Sequence, residues 1–411
     1  MMRAMLRRAL ARLGCSVALL AGVGAQDWPQ FRGPTGQGTS DLRGLPLEWS
    51  ESTNVAWKVP VPGSGWSSPV VAGGRVWVTT FVERGGSMRA LAFDVGTGKE
   101  LVNVEVFKLR GGEPINERNS RATPTPVADG DRLFAHFGAE GTAALNTDGK
   151  ILWTARFPYS SQHGSGSSPI VVGDLLVVSG DGPDSAFLVA IDKATGKTRW
   201  KTLKRQPWDQ AYSTPLAIAV GESEQIVSVS AHHTAAYDPQ NGKEIWRVGY
   251  PGGFSNVPRP VYGGGLLFIT TGFQQPSLLA IRPDGKGDVT RTHVAWRFSR
   301  GVPLTPSPLL VGNELYLVND GGIAICLDAR SGNPLWAQRL SGPHSASPVF
   351  ADGRIYFLSE DGTTSVIAPG PEFRQLATNR LDGLTFASMA ASAGSFFIRS
   401  DKFLYRIAGL R

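Results

Sequence analysis

The residues of this chain best suited to bind a ligand share one position, because they accompany a repeated Ser-Pro or Thr-Pro dipeptide or a degenerate copy of it. They are Arg118, Asn119, Arg121, His163, Trp208, Gln210, Tyr212, Asn256, Arg259 and His344. Guanidinium, imidazole and amide groups orient polar ligands, while aromatic rings bind apolar or planar ones. The same residue types also suit a water-filled channel mouth that holds no ligand, and both interpretations stay open.

We predict no catalytic residue and no metal ligand from the sequence. The chain has 6 His and 2 Cys without a His/Cys cluster, which argues against a zinc site. His232 and His233 are adjacent on an extended segment, so their rings face opposite sides. Calcium ligation through Asn319, Asp320 or Glu360 stays open on residue type alone.

Two repeated segments indicate how the candidate residues are positioned. The first is Ala190–Trp200, AIDKATGKTRW, with copies at Ala92–Val102, Ala144–Trp153, Ala235–Trp246 and Cys326–Trp336. An apolar strand that ends in Asp, a turn that contains Gly and a second strand are typical of a β-hairpin. The second segment is the Ser/Thr-Pro dipeptide, which returns at intervals of 40 to 57 residues.

Eight such markers predict an all-β fold, an eight-bladed β-propeller of four-stranded antiparallel blades. The end of the chain supplies three strands for blade eight, and Asn54–Pro60 is the predicted fourth strand, which closes the ring and covers a sheet edge. A tryptophan on the outer strand of six blades is predicted to dock neighbouring blades: Trp57, Trp153, Trp200, Trp246, Trp296 and Trp336. Val102 and Leu376 are expected to replace tryptophan in the other two blades.

The first 50 residues are predicted to precede the propeller, which takes residues 51–411. Residues 1–25 combine four Arg, an apolar segment and a small-residue cleavage site, as in a secretory signal, with lipidation of Cys15 as the alternative. Residues 26–50 form a Gly/Pro-rich arm that we expect to wrap the outside of the ring. Removal of the signal lowers the formal net charge from +7 to +3, so the charge does not favour nucleic-acid binding.

The sequence after residue 25 predicts an exported monomer. No apolar run there is long enough to span a bilayer. Cys326 is the remaining thiol and lies on an apolar strand, so the core and not a disulfide is expected to stabilise the fold. The longest excursion between blades, Phe107–Ala122, is either a functional lid or a plain surface insertion.

The A-x-D-x-x-T-G-x-x-x-W pattern of Ala190–Trp200 resembles the tryptophan-docking repeat of quinoprotein alcohol dehydrogenases. BamB, the propeller lipoprotein of outer-membrane assembly, shares that repeat. The segment Trp28–Pro34, WPQFRGP, is similar to the start of many exported PQQ-binding-like propeller proteins. The resemblance covers about residues 27–411 and implies the propeller fold.

This resemblance implies two functions of different kinds. We expect a non-catalytic binding or scaffold protein of the periplasm or cell envelope, with a protein, peptide or glycan as its partner. The alternative is a PQQ-dependent dehydrogenase of alcohols or sugars. Those enzymes carry adjacent cysteines and a calcium held by acidic and amide side chains, whereas this chain has no Cys-Cys pair and no matching acidic residue. PQQ held by Arg118, Arg121 and Arg259 is therefore kept as the alternative without being assigned.

Overall fold

Eight sheets of four antiparallel strands form a closed ring around a channel. Seven of them follow chain order, whereas the last takes its outer strand from residues 55–60, and the fourth carries a short extra strand parallel to its outer strand. The structure is a computed structural model that describes residues 27–111 and 115–409. The innermost strands of neighbouring sheets contact one another, whereas the outer strands diverge. The predicted eight-bladed β-propeller is therefore confirmed.

The strands have the following bounds. Blades one to four contain β2 (Val70–Ala72), β3 (Arg75–Val82), β4 (Ser87–Asp94), β5 (Glu100–Lys108), β6 (Val127–Asp129), β7 (Arg132–His136), β8 (Thr142–Asn146), β9 (Ile151–Ala155), β10 (Ile170–Val172), β11 (Leu175–Asp181), β12 (Ala186–Asp192), β13 (Thr198–Leu203), β14 (Leu216–Val220), β15 (Ser223–Val229), β16 (His233–Tyr237) and β17 (Glu244–Gly249). Blades five to eight contain β18 (Val261–Gly263), β19 (Leu266–Thr270), β20 (Leu278–Ile281), β22 (Val294–Phe298), β23 (Leu309–Val311), β24 (Glu314–Val318), β25 (Ile323–Asp328), β26 (Pro334–Arg339), β27 (Val349–Ala351), β28 (Arg354–Leu358), β29 (Thr363–Ala368), β30 (Arg374–Arg380), β31 (Ala390–Ser392), β32 (Ser395–Arg399) and β33 (Phe403–Ile407). Two short strands complete the set, β1 (Val55–Pro60) in blade eight and β21 (Gly287–Asp288) beside β17, together with one 3-10 turn at Gly138–Glu140.

The hydrophobic core lies in layers between blades. In β12 the six residues before Asp192 are buried, because blades pack against both of its faces. In β13, on the rim, exposed and half-buried residues alternate. One layer joins Phe134 of blade two to Leu176 and Phe187 of blade three. Adhesion between blades therefore depends on apolar contacts along the whole ring.

The ring closes through β1, which pairs antiparallel with β33 of the last blade. Val55 lies opposite Ile407, and Pro60 lies opposite Phe403. Trp57 is buried in this strand, with its ring centroid 5.9 Å from that of Phe397. The prediction that Asn54–Pro60 supplies the fourth strand of blade eight is confirmed.

Five of the tryptophans reach the hairpin turn between the third and fourth strands of the next blade. The indole N–H donates to a turn carbonyl there at 2.8–3.1 Å, from Trp57 to Val95, Trp153 to Lys193, Trp200 to Pro239, Trp296 to Ala329 and Trp336 to Gly370. The ring of Trp200 also covers Gly242, the glycine of the neighbouring turn. Each of these indoles thus fastens its blade to the next by one hydrogen bond. Four of them also cover a turn glycine, whereas Trp336 packs against Phe373.

Blades four and seven depart from this arrangement. Trp246 donates to Gln225 Oε1 in its own blade at 2.8 Å and is fully buried, because β21 adds to its strand. In blade seven the register places Ala377, and not Leu376, opposite Val366. The turn before β30 is one residue longer than its counterpart in blade one, because five residues separate Ala368 from Arg374 whereas four separate Asp94 from Lys99, and this is why the expectation for Leu376 is wrong.

The stacked glycine can be tested by substitution with alanine. Gly242 has a φ of +71°, and a Cβ there would lie 2.5 Å from a ring carbon of Trp200. Gly221 has a φ of +59° with no atom within 4 Å of such a Cβ, which makes it a matched control. We expect Gly221→Ala to lower the free energy of unfolding by about 1–2 kcal/mol through backbone strain. Gly242→Ala is expected to cost about 1–3 kcal/mol more through overpacking, as measured by urea denaturation. Equal losses in the two variants would contradict the docking role of Trp200.

Residues 27–40 of the arm lie inside the channel, and Trp49 near its end packs between blades seven and eight, so the expectation that the arm wraps the outside of the ring is wrong. Trp28 pairs with Val71 of blade one through two hydrogen bonds of 2.8 and 2.9 Å. Ser40 donates its N–H to the carbonyl of Phe350 in blade seven at 2.8 Å. The innermost strand of each blade leaves one edge unpaired, and the arm satisfies part of that edge. The carbonyl of Phe31 accepts a hydrogen bond from Arg259 of blade five, which is opposite blade one in the ring, so the arm crosses the channel.

Candidate functional site

A ring of hydrogen bonds around the channel explains the repeated Ser/Thr-Pro marker. In two runs of markers, the backbone N–H of one marker residue donates to the hydroxyl of the next at 2.9–3.2 Å. The first run is Ser68, Thr125, Ser168 and Thr214. The second is Arg259, Ser307, Ser347 and Ser388, and Ser388 donates to Ser68. The link from Thr214 to blade five is replaced, since Arg259 has no hydroxyl and its Nε donates to Pro215 O at 3.1 Å. The hydroxyls thus hold the blades in register and are used as hydrogen-bond acceptors.

A cavity of about 530 Å³ opens above this ring. The marker hydroxyls and Phe31 of the arm form its base, and its wall combines polar residues such as Asn116 and Asp320 with five aromatic ones: Trp66, Tyr212, Phe254, Phe273 and Phe386. We call this cavity the funnel. Trp66 and Phe386 pack against each other with ring centroids 4.6 Å apart, and the His163 ring lies 6.2 Å from that of Tyr212 and 6.1 Å from that of Phe254. Because Phe31 lies at the base, the arm separates the funnel from the channel below it.

Arg118 reaches over the mouth of the funnel. It belongs to the long loop before blade two, yet it forms an ion pair with Glu360 of blade seven. Ser345 donates to the same Glu360 Oε1 at 2.6 Å, and the Arg118 guanidinium carbon lies 5.8 Å from the Phe386 ring centroid. Asn119 holds the loop on the other side, since its Nδ2 donates to the carbonyl of His163 at 2.7 Å. The loop therefore spans part of the mouth instead of pointing into solvent.

The structure brings some of the candidate residues together and separates others. Four of them line the funnel, namely Arg118, Asn119, His163 and Tyr212. Arg121 lines a second cavity of about 340 Å³, together with Arg110 and Arg156. Trp208, Gln210, Asn256, Arg259 and His344 line neither cavity.

Of the candidates outside the funnel, Gln210 bonds to a lining residue, whereas Asn256 and Trp208 bond to backbone carbonyls elsewhere. Gln210 is buried and accepts a hydrogen bond from the Tyr212 hydroxyl at 2.8 Å, and burial raises the pKa of Tyr212. Asn256 donates to Ser230 O at 2.7 Å, and Trp208 donates to Lys204 O at 2.9 Å. His344 is buried, which lowers its pKa to about 4, so it is neutral at pH 7.

Sequence reasoning missed most of the apolar wall. Phe386 lies two residues before the marker Ser388, a position like those that were chosen, but it was passed over because it is not polar. Phe273 lies in the connection between β19 and β20 and is 48% exposed at the rim. The sequence did not indicate that Phe31 belongs to the funnel, because nothing in it placed the arm inside the channel.

The donor set of the funnel does not fit a quinone cofactor with its calcium. Among residues 27–111 and 115–409, no three His, Cys, Asp or Glu side chains are grouped so that they could hold a metal ion. Arg118 is the arginine of the funnel lining, and its charge is paired with Glu360. A tricarboxylated cofactor needs several cations and a Lewis acid beside its reactive carbonyl. We therefore derive no chemical step through such a group.

The fold and the funnel define a class, the eight-bladed propeller with a single-sided axial pocket. A family model described as "Outer membrane protein assembly factor BamB" matches residues 42–154, 91–292 and 286–370. These ranges cover most of the chain, and the chain belongs to this PQQ-like propeller family.

Two relatives of known name agree with this assignment. The chain is 27% identical over 261 residues to outer membrane protein assembly factor BamB of Burkholderia pseudomallei, across 59% of this chain and 62% of that protein. It is 30% identical over 135 residues to the BamB of Alkalilimnicola ehrlichii, across 32% of this chain and 34% of that protein. The matches thus span less than two thirds of either relative.

Solved structures with the same fold include a BamB and a dehydrogenase. BamB of Moraxella catarrhalis has a TM-score of 0.59 at 12% identity and covers 86% of this chain and 99% of its own. A europium-containing methanol dehydrogenase has a TM-score of 0.61 at 11% identity and covers 92% and 90%. At these identities the likeness shows the fold alone.

Proposed function

We propose that this protein is an exported, non-catalytic scaffold of the cell envelope that binds a segment of a partner protein in the funnel. The observation that carries the proposal is the aromatic wall above a base closed by the chain's own arm. Membership of the BamB family supports an envelope role in outer-membrane assembly. In the described part of the chain, no helix is long and apolar enough to cross a membrane.

The shape of the funnel favours an inserted side chain or a short peptide segment. Its volume of about 530 Å³ is in the range of small-ligand sites, and Phe31 at its base leaves entry from one side. Aromatic rings and arginine dominate binding energy at protein interfaces. The ion pair of Arg118 and Glu360 supplies both charges at the mouth, where backbone or polar groups of a partner would contact them.

A photocrosslinking experiment tests this function. A crosslinking side chain at Phe273, on the rim, is expected to capture an envelope protein, whereas one at Leu335, on an outer strand and 40% exposed, is not. The captured segment is then synthesised, and its affinity is measured by calorimetry. We expect Phe254→Ala to weaken that affinity at least about tenfold. Leu335→Ala is the matched control and should leave it unchanged.

Three outcomes would contradict the proposal. The same capture at Leu335, or unchanged affinity in Phe254→Ala, would place the partner elsewhere. If the protein bound an oligosaccharide and no peptide, the partner would be a glycan and not a protein segment. Dye reduction that depends on an alcohol, PQQ and calcium, and that a chelator abolishes, would restore the dehydrogenase alternative.

A further inference from the structure

Two buried arginines lie close together in the channel, on the side of Phe31 that faces away from the funnel. Arg32 of the arm and Arg259 of blade five are each 2% exposed. Arg259 donates from Nη1 to the carbonyl of Phe31 at 2.6 Å, which brings it to the segment that carries Arg32. Both guanidinium groups are therefore enclosed where the arm meets the ring.

The hydrogen bonds of Arg32 are incomplete. Its Nη2 donates to the carbonyl of Gln37 at 2.7 Å, but Nε and Nη1 are buried and have no partner within the described residues. Buried polar groups in proteins are almost always satisfied, by the protein, by water or by an ion. Two orphaned donors on one charged group therefore indicate a missing acceptor.

The charges are also unbalanced. The buried acids of the described chain are Asp181 and Glu360, and they pair with Lys204 and Arg118 away from the arm. Arg32 has no carboxylate partner there, and burial together with the charge of Arg259 lowers its pKa to about 9. A buried charge without a counter-ion is strongly unfavourable, and a second like charge adds to the cost.

We propose that a small anion, a halide such as chloride, binds between the arm and the ring and accepts hydrogen bonds from Arg32 Nε and Nη1 beside Arg259. The surroundings are too tight for a large ligand. A Cβ on Gly36 would lie 2.5 Å from Arg259 Nη1, and a Cβ on Gly38 would lie 2.5 Å from Arg32 Nη2. A monatomic ion fits such a site better than a tetrahedral oxyanion does.

This site is separate from the proposed function, because Phe31 stands between it and the funnel. The anion would neutralise the arginine pair and so fasten the arm in the channel. Binding to the folded state alone stabilises a protein in proportion to the logarithm of ligand concentration. Chloride is therefore expected to act on the stability of the protein and not on its affinity for a partner.

The first test measures thermal unfolding at constant ionic strength while sodium chloride replaces sodium gluconate. We expect Tm to rise by about 2–4 °C up to about 100 mM chloride in the wild type. Arg32→Met should abolish this dependence, whatever its effect on absolute stability. Arg399→Met is the control, because Arg399 is equally buried and its Nη1 donates to Ser67 Oγ and Thr79 O at 2.7 Å, so that only its Nε is without a partner within the described residues. It should keep the dependence.

The second test needs no variant. Crystals of the wild-type protein grown in bromide are expected to show an anomalous peak within hydrogen-bond distance of Arg32 Nε or Nη1. A peak there and the chloride dependence together support the site. Absence of the peak, or an equal dependence in Arg32→Met, would overturn it, and buried water would then satisfy the two donors.

Discussion

Removal of residues 27–60 is expected to leave a chain that cannot form a stable ring. This deletion takes away β1, the fourth strand of blade eight, and exposes the outer edge of β33. An unpaired edge promotes association with other chains. It also takes away the buried Trp57, whose indole donates to the carbonyl of Val95 in blade one at 2.9 Å. Size-exclusion chromatography should show aggregates, and urea denaturation should show loss of the cooperative transition.

The contributions of strand and arm can be separated. Deletion of residues 27–53 removes the arm but keeps β1, and should yield a monomer of reduced stability. Trp57→Ala in the full chain is expected to cost about 3–5 kcal/mol, as for a large aromatic residue truncated in a core. Lys58→Ala, at the neighbouring exposed position, removes an ion pair with Glu51 and should cost less than about 1 kcal/mol. A deletion of residues 27–60 that unfolds like the full chain would refute closure by β1.

Asp181→Asn is expected to be the most damaging single change of a charged residue. Asp181 accepts a hydrogen bond from Lys204 Nζ at 2.6 Å, and the two side chains are 3% and 0% exposed. Its other oxygen accepts a hydrogen bond from Ser230 of blade four at 2.9 Å, so the carboxylate also links two blades. Loss of one partner leaves a buried charge without compensation, which costs about 3–5 kcal/mol. Urea denaturation at pH 7 measures this loss.

The stability lost in Asp181→Asn is expected to depend on pH in one direction. Burial lowers the pKa of Lys204, and Asp181 opposes that shift. In Asp181→Asn the folded-state pKa of Lys204 falls further, so the unfolded state binds more protons and stability rises with pH. The deficit of the variant should therefore shrink between pH 7 and pH 10. The double variant Asp181→Leu/Lys204→Met should recover most of the lost stability. A constant deficit across this range would mean that the lysine charge is not its cause.

Much of the fold could be predicted because the sequence repeats its own local chemistry. The turn glycines, the Ser/Thr-Pro markers and the spacing of tryptophans such as Trp200 follow from rules within one hairpin. The blade number and the role of Asn54–Pro60 then follow from counting strands. The error at Leu376 shows the limit of this reasoning, since one extra residue in a hairpin turn moves the position of the docking residue by one.

The site was harder to predict because it depends on contacts between distant parts of the chain. Arg118 lines the funnel, but its partner Glu360 is 242 residues away and belongs to another blade. Arg259 was chosen as a ligand contact, yet it binds the arm below the funnel. Only the path of the arm distinguishes these two positions, and a Gly/Pro-rich segment carries no periodic signal for its path.

The pairing of β1 with β33 also determines when the ring can close during synthesis of the chain. Tyr405 donates to Glu51 at 3.0 Å, and the two residues are 354 positions apart. A contact between such remote positions forms late, because the chain between them must first be organised. While the protein emerges from a ribosome or a translocation pore, β1 has to wait without its partner until the last blade has been delivered. The ring can therefore close only after the last blade has been made. A product truncated before β33 leaves β1 unpaired, and such an exposed edge is accessible to a quality-control protease.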